Sequence, residues 1–371
     1  MPVIGGYSTT MYYLNANEQA LLLPTAILSV DNNPGIQNAQ NDSDQYQTGC
    51  VARIQGSLVS LNANALTFYA GPGNVGNFVV TVGQNGLIDA SVNHAAVVVQ
   101  GSGNVINNAG EINGGVGLWC EAWSGGDVFN SGSITGSRFS GIKVLNSTAA
   151  DITNTGSIAG RGGIELANST AHIVNSGHIT SKDAALAAID GGAASAAFDV
   201  RNTGTLTAVK DAIEGSGFDD TVFNFGTIDG NVTLGGGNDT YRGAHGTALA
   251  AIDGGIGNDL LIGGLGDDTL LGGAGNDRLN GGVGDDTLTG SQGVDQFIFQ
   301  SGGGNDTVTD FTNGPDNINL KAFHLANFAS LNGHAHNVAG GMALDLTSFG
   351  GGVIMFNGFS VAQFDVTDVI L

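Results

Sequence analysis

GGIGNDLLI at 254–262, GGLGDDTLL at 263–271, GGAGNDRLN at 272–280 and GGVGDDTLT at 281–289 are four consecutive nonapeptides that share one pattern. Each reads Gly, Gly, any residue, Gly, Asn or Asp, Asp, any residue, Leu, any residue. Imperfect copies flank them at 217–220 (GFDD), 235–239 (GGGND), 292–295 (QGVD) and 302–306 (GGGND). A fixed short period is the mark of a stacked array, in which no single unit can bury its own apolar face. Six turn-forming residues are followed by three strand-forming ones. The eighth position, Leu261, Leu270, Leu279 and Leu288, is expected to face a core. A flexible acidic linker has no reason to repeat a leucine in register, so that reading is set aside.

The pattern resembles the repeats-in-toxin (RTX) family of haemolysin-type calcium-binding repeats, which implies a parallel β-roll holding several Ca²⁺ ions over about residues 231–310. Ca²⁺ takes six to eight hard oxygen ligands at about 2.3–2.6 Å, and glycine-rich corners let backbone carbonyls turn inward beside a carboxylate. The metal candidates are the sixth-position carboxylates Asp220, Asp239, Asp259, Asp268, Asp277, Asp286, Asp295 and Asp306. To these are added the fifth-position residues Asn238, Asn258, Asp267, Asn276, Asp285 and Asn305. The corner glycines Gly255, Gly257, Gly264, Gly266, Gly273, Gly275, Gly282 and Gly284 complete the set. With two nonapeptides per turn of roll, Asp259 pairs with Asp277, Asp268 with Asp286, and Asp277 with Asp295, in two rows on opposite edges. The wider spacings from Asp220 to Asp239, Asp239 to Asp259 and Asp286 to Asp306 predict distorted or missing sites there.

Upstream runs a second period, N-x-G-x-[IL], at Asn108, Asn130, Asn154, Asn175, Asn202 and Asn224, with Gln84 beginning a variant. Short β-branched runs lie between Gly, Asn and Ser turns, and no helical periodicity appears. Units of about 22 residues are expected to form one coil each of a parallel β-solenoid. The Asn would stack as an amide ladder, and the following Gly would serve a tight or left-handed turn. This part, over residues 76–230, resembles the passenger β-helices of adhesins and autotransporters. The expected fold is therefore all-β, a parallel β-solenoid continuing into an RTX β-roll.

Residues 1–75 carry no clear repeat and are read as a terminal cap or assembly segment, because solenoids must shield their end strands. Residues 311–371 resemble the cap that follows RTX rolls. The closing Asp368-Val369-Ile370-Leu371 resembles the uncleaved signal of type I secretion substrates. That resemblance implies an ABC transporter as export partner and an extracellular or cell-surface location in a Gram-negative bacterium. The first basic residue is Arg53, so the apolar stretch near residues 20–30 does not read as a classical signal peptide.

Composition narrows the function. The net charge is -23, and 28 of the 33 acids are Asp. Phosphate backbones would be repelled, which argues against nucleic acid. No apolar run reaches the roughly 18 residues of a membrane span. Cys50 and Cys120 are too few for a disulfide scaffold, leaving free thiols or one bridge. No GxSxG, HExxH or Cys/His set is found, and His334 and His336 read as surface residues of one strand, so the protein is expected not to be an enzyme. Arg138, Arg161, Lys182 and Lys210 follow their coil's Asn by seven or eight residues and form a candidate basic stripe for a polyanion or a neighbouring subunit. Trp119 and Trp123 depart from the small residues of neighbouring coils and suggest a carbohydrate or protein contact, or an inserted loop. The leading expectation is a secreted, calcium-folded structural protein of the cell surface or extracellular matrix, self-assembling head to tail into fibres or a lattice. An adhesin or polysaccharide-binding protein is the alternative, and a polysaccharide lyase or epimerase the third.

Overall fold

The computed structural model describes residues 50–371 apart from 62, 70–76, 195, 244 and 332, together with short strands between residues 3 and 38. The chain forms two units, residues 1–200 with 204–213, and residues 201–203 with 214–371.

In the first unit each coil contributes three strands, and equivalent strands of successive coils pair in parallel. One coil is Val105–Asn108, Glu111–Gly114 and Val116–Glu121; the next is Ser124–Asn130, Ser133–Gly136 and Ile142–Leu145. Register places like on like. Ile106, Val128, Ile152 and Ile173 form one buried file. Ile112, Ile134, Ile158, Ile179 and Leu206 form a second, and Leu118, Ile142, Ile164 and Ile189 a third. Each such side chain is worth about 1.5–3 kcal/mol when taken out of water. β-Branched residues suit these short strands because their stiff side chains pack flat against the coil above.

The asparagines form the expected ladder. Asn108, Asn130 and Asn154 each donate Nδ2 to the Oδ1 of the next coil's Asn, at 2.8, 2.7 and 2.8 Å. In the second unit Asn202 does the same to Asn224 at 2.9 Å. The glycine two residues later sits in a tight two-residue corner, as expected, but not in a left-handed conformation. None of Gly110, Gly132, Gly156, Gly177 and Gly204 has a positive φ. Instead, a Cβ on Gly132 would lie 2.1 Å from Gly110 O, and one on Gly156 equally close to Gly132 O. Side chains are excluded there by the approach of one coil to the next.

Parallel pairing also reaches into residues 1–75, much of which lies outside the described residues. Gln19–Leu22 pairs with Val51–Ile54, which pairs with Val79–Val82. Cys50 and Cys120 are both buried and not disulfide-bonded. Trp119 and Trp123 do not sit on an inserted loop. Trp119 lies within a paired strand, and buried Trp123 donates Nε1 to Val99 O at 2.9 Å.

The second unit uses two strands per coil. One stack holds Thr240–Arg242, Leu260–Leu265, Arg278–Val283, Gln296–Ile298 and Asn317–Asn319. The other holds Ile252–Ile256, Thr269–Ala274, Thr287–Gln292 and Asp306–Val308. The eighth-position leucines meet inside, with Leu261 on Leu279 on Phe297, and Leu270 on Leu288 on Val308, all fully buried. At the C-terminal end Val353–Asn357 pairs with Asp306–Val308 and then turns antiparallel through Gly341–Asp345 to Ala335–Val338. Phe311 packs within 5–6 Å of Phe297, Phe356 and Phe359 and closes the core. His334 and His336 lie at the outer strand of this hairpin, His334 Nδ1 lying 3.0 Å from Asp345 O. Among the described residues no helix is long and apolar enough to cross a membrane.

Candidate metal centre

The two-strand coil fixes where each sixth-position Asp stands, because each immediately precedes a strand of known register or, for Asp306, begins one. Thr221–Asn224, Thr240–Arg242, Leu260–Leu265, Arg278–Val283 and Gln296–Ile298 are successive neighbours in one stack. Asp220, Asp239, Asp259, Asp277 and Asp295 therefore line one edge. Asp268, Asp286 and Asp306 line the other. All are buried.

Within each row the carboxylates are hydrogen-bonded in one direction. The backbone N–H of Asp259 donates to Asp277 Oδ1 at 2.8 Å, and that of Asp277 to Asp295 Oδ1 at 2.9 Å. On the opposite edge Asp268 N–H reaches Asp286 Oδ1 at 2.8 Å, and Asp286 N–H reaches Asp306 Oδ1 at 3.1 Å. The chain continues across the irregular spacings, from Asp220 N–H to Asp239 and from Asp239 N–H to Asp259. It also extends to Asp316, which accepts from Asp295 N–H at 3.0 Å. Asp316 is absent from the sequence-derived set, although the run Asp316-Asn-Ile318 repeats the Asp, any residue, apolar order of the nonapeptide.

The second carboxylate oxygen is the informative one. Oδ2 of Asp239, Asp259, Asp268, Asp277 and Asp286 is buried and has no hydrogen-bond partner. A buried carboxylate without full compensation is expensive and answers by holding its proton. Burial, and to a lesser degree neighbouring carboxylates, pushes Asp259, Asp277, Asp286, Asp295 and Asp306 from an ordinary 3.8 up to about 6. The same causes take Asp268 to about 7 and Asp239 to about 8.

These oxygens face a cradle that only glycine leaves open. A Cβ on Gly272 would lie 2.5 Å from Asp277 Oδ2 and 2.8 Å from Gly290 O. At Gly254 the same pair is Asp259 Oδ2 and Gly272 O, and at Gly263 it is Asp268 Oδ2 and Gly281 O. A carboxylate oxygen and the first-position carbonyl of the following coil thus converge on one point per repeat. The irregular copies differ in this respect, since Leu234 and Ser301 stand where the first glycine would be before Asp239 and Asp306.

Positions two and four supply the corner itself. Gly255, Gly257, Gly264, Gly266, Gly273, Gly275, Gly282 and Gly284 have φ between 91° and 143°, a region closed to most residues with a Cβ. The fifth-position side chains lie on the outside and are hydrogen-bonded the opposite way along the stack. Asn258 Oδ1 accepts from Asn276 N–H at 2.7 Å, Asn276 Oδ1 from Val294 N–H, and Asn238 Oδ1 from Asn258 N–H. Asp267 Oδ1 accepts from Asp285 N–H, Asp285 Oδ1 from Asn305 N–H, and Asn305 Oδ1 from Val353 N–H. Two antiparallel files of side-chain acceptors therefore bracket each corner, the outer one exposed and the inner one buried.

No three His, Cys, Asp or Glu side chains converge among the described residues. A cation held here draws much of its oxygen shell from backbone carbonyls, which suits the hard oxygen preference of Ca²⁺ and not the His/Cys preference of zinc. The bound ion would supply the positive charge that the Oδ2 oxygens lack.

The four basic residues lie on the first unit. Arg161 and Lys182 directly follow the register partners Gly160 and Ser181, so they sit one above the other. Arg161 is paired with Asp183 at 2.5 Å and Lys210 with Asp211 at 2.6 Å. Arg138 bonds Asn93 and lies over the Phe139 ring. Lys182 is exposed.

Residues 253–308 match the family model of the RTX calcium-binding nonapeptide repeat in three overlapping registers, 253–288, 262–297 and 271–308. The matched stretch coincides with the corners described above, and the chain binds Ca²⁺ through it. No curated protein matches the chain.

Proposed function

We propose that this RTX-type calcium-binding β-solenoid protein is exported unfolded from a bacterium, folds on meeting extracellular Ca²⁺, and serves there as a structural component of the cell surface or matrix. The observation that supports the reading is the file of buried Asp Oδ2 oxygens without partners. Such a corner is self-repelling when the metal is scarce and satisfied when it is plentiful, so folding follows the metal. A low-calcium cytosol keeps the roll open for a transporter, and the exterior closes it. The rest of the chain favours a structural over a catalytic role, because its buried polar groups are spent on ladders that join coil to coil.

Self-assembly into fibres or a lattice belongs to the same reading, since a repetitive body presents the same contact many times. Head-to-tail growth by strand addition is less favoured at the C-terminal end. One stack turns there into an antiparallel hairpin, which blunts its edge. Copies would meet instead along corners, where Leu265 stacks beside Val283 and Ile256 beside Ala274, the three larger side chains being exposed. Electron microscopy and sedimentation of the full chain with millimolar Ca²⁺ and with EGTA test this. Ordered assemblies that need Ca²⁺ are expected; discrete monomers in both conditions reject assembly. Secretion of a chain lacking residues 366–371 would reject the type I signal.

A further inference from the structure

The strand Ala95–Gln100 breaks the alternation of its neighbours. Ala95, Val97, Val98 and Val99 are all buried, so both of its faces are covered. Val97 and Val99 point into the coil, where they pair with Leu118 and Cys120. Val98 lies on the outer face with Ala95 and Val116, and Tyr69 and Trp119 pack against this outer cluster. The result is a pocket of about 370 Å³ on the side of the first unit. That volume lies at the small end of the ~300–1,000 Å³ range of ligand sites.

Its lining is an apolar, aromatic floor with a few polar groups at the rim. Trp119 and Val98 stand in register with Lys143, which Glu165 holds at 2.5 Å while Ser140 Oγ donates to the other oxygen of Glu165 at 2.9 Å. Lys143 is therefore a fixed donor rather than a loose surface charge. Glu121, two residues beyond Trp119, also lines the pocket and forms no ion pair among the described residues. His94 lies opposite, its Nδ1 2.9 Å from Ser91 Oγ. A flat aromatic ring beside a fixed donor and an acceptor suits a ligand with an apolar face and a hydroxylated edge. An acyl chain would leave Glu121 and Lys143 desolvated and unmatched. A phosphate or uronate would face Glu121 on a chain of net charge -23.

We propose that this pocket binds a neutral pyranose unit of an extracellular glycan, with the ring face against Trp119 and the hydroxyls on Lys143 and Glu121. The proposal is independent of assembly.

The test exploits the tryptophans. The chain has two; Trp123 is sealed inside the coil, so Trp119 alone reports on the pocket. Full-length, Ca²⁺-loaded protein is titrated with cellotetraose, chitotetraose and mannotetraose, and with tetragalacturonate, following fluorescence and iodide quenching. At least one neutral tetrasaccharide should give a saturable spectral shift and protect Trp119 from iodide. Calorimetry should then show affinity reduced tenfold or more by Trp119→Ala and by Glu121→Gln. Unchanged Trp123 emission in Trp119→Ala shows that the coil is intact. Failure of all three neutral probes, tighter binding of tetragalacturonate, or full affinity in both variants would each overturn the proposal.

Discussion

Replacing Asp277 by Asn should have opposite effects with and without Ca²⁺. Asn keeps Oδ1, which accepts the Asp259 N–H, and nearly the same volume, but it removes the charge. In the metal-free fold Asp277 is pushed from 3.8 to about 6 by burial, so ionising it is penalised. A folded-state pKa above the unfolded one means stability is complete below about 3.8 and is lost as pH rises through about 6. At pH 8 the loss is roughly 3 kcal/mol, from about two pKa units at 1.36 kcal/mol each. Metal-free D277N should recover much of that, less about 1 kcal/mol for burying an amide. In EGTA the far-ultraviolet circular dichroism signal of its roll should persist to higher pH than that of wild type, and the difference should vanish near pH 4. With saturating Ca²⁺ the variant has lost a charged ligand, and each tenfold loss of affinity removes about 1.4 kcal/mol. Both tryptophans lie in the first unit, so their emission is an internal control that should not change. A variant whose roll opens at lower pH than that of wild type in EGTA would refute the reasoning, because hydrogen bonding rather than charge would then dominate the corner.

Chelation of the wild-type chain by EGTA at pH 8 should remove part of the β-sheet signal while tryptophan emission, which reports the first unit, stays as it was. Gly272→Ala places a Cβ 2.5 Å from Asp277 Oδ2, so calcium-induced folding should shift to at least tenfold higher Ca²⁺; Gly217→Ala, with nothing within 4 Å, should stay within about 0.5 kcal/mol of wild type in urea unfolding. Asn154→Ala removes an acceptor for Asn130 and a donor to Asn175 and to His178 O. It should cost about 2–4 kcal/mol in the urea transition of the first unit, with or without Ca²⁺.

The coil-on-coil parts of the fold were legible because stacking repeats one environment, and a repeated environment selects a repeated residue. Leu279 and Leu288, Asn130 and Asn154, and Gly273 and Gly282 announce themselves this way. The reason for a residue was less legible than its place. The Gly after each ladder Asn looked like a turn former, yet Gly132 is required by the carbonyl of Gly110, an atom in another coil that local spacing does not reveal. Asp316 was passed over for a related reason: it joins the row of Asp295 after 21 residues, where an insertion hides the period but the strand Asn317–Asn319 still falls in register. Strand pairing tolerates extra residues at a corner, whereas a search for a fixed period does not. The outer pocket was legible only in part: Trp119 stood out as a departure from the repeat, although its register neighbours are Lys143 and Glu165 and not small residues, while the unalternating strand at 95–100 that completes the pocket gave no periodic signal.

The acidity of the chain follows from the same logic of stacking. One Asp per corner sits directly beneath another, so any charge it carries is repeated along the file and cannot be diluted by moving a side chain outward. Arg or Lys partners would be too bulky for a corner in which even a Cβ on Gly272 collides with the carboxylate. The remaining ways to neutralise the file are protons, at the cost of a fold that loosens as pH rises through about 6 to 8, or small cations that fit between coils. A calcium-binding roll is thus what a glycine-cornered stack of carboxylates makes at neutral pH. The ten basic residues of the whole chain can be few because the metal, and not the protein, carries the compensating charge.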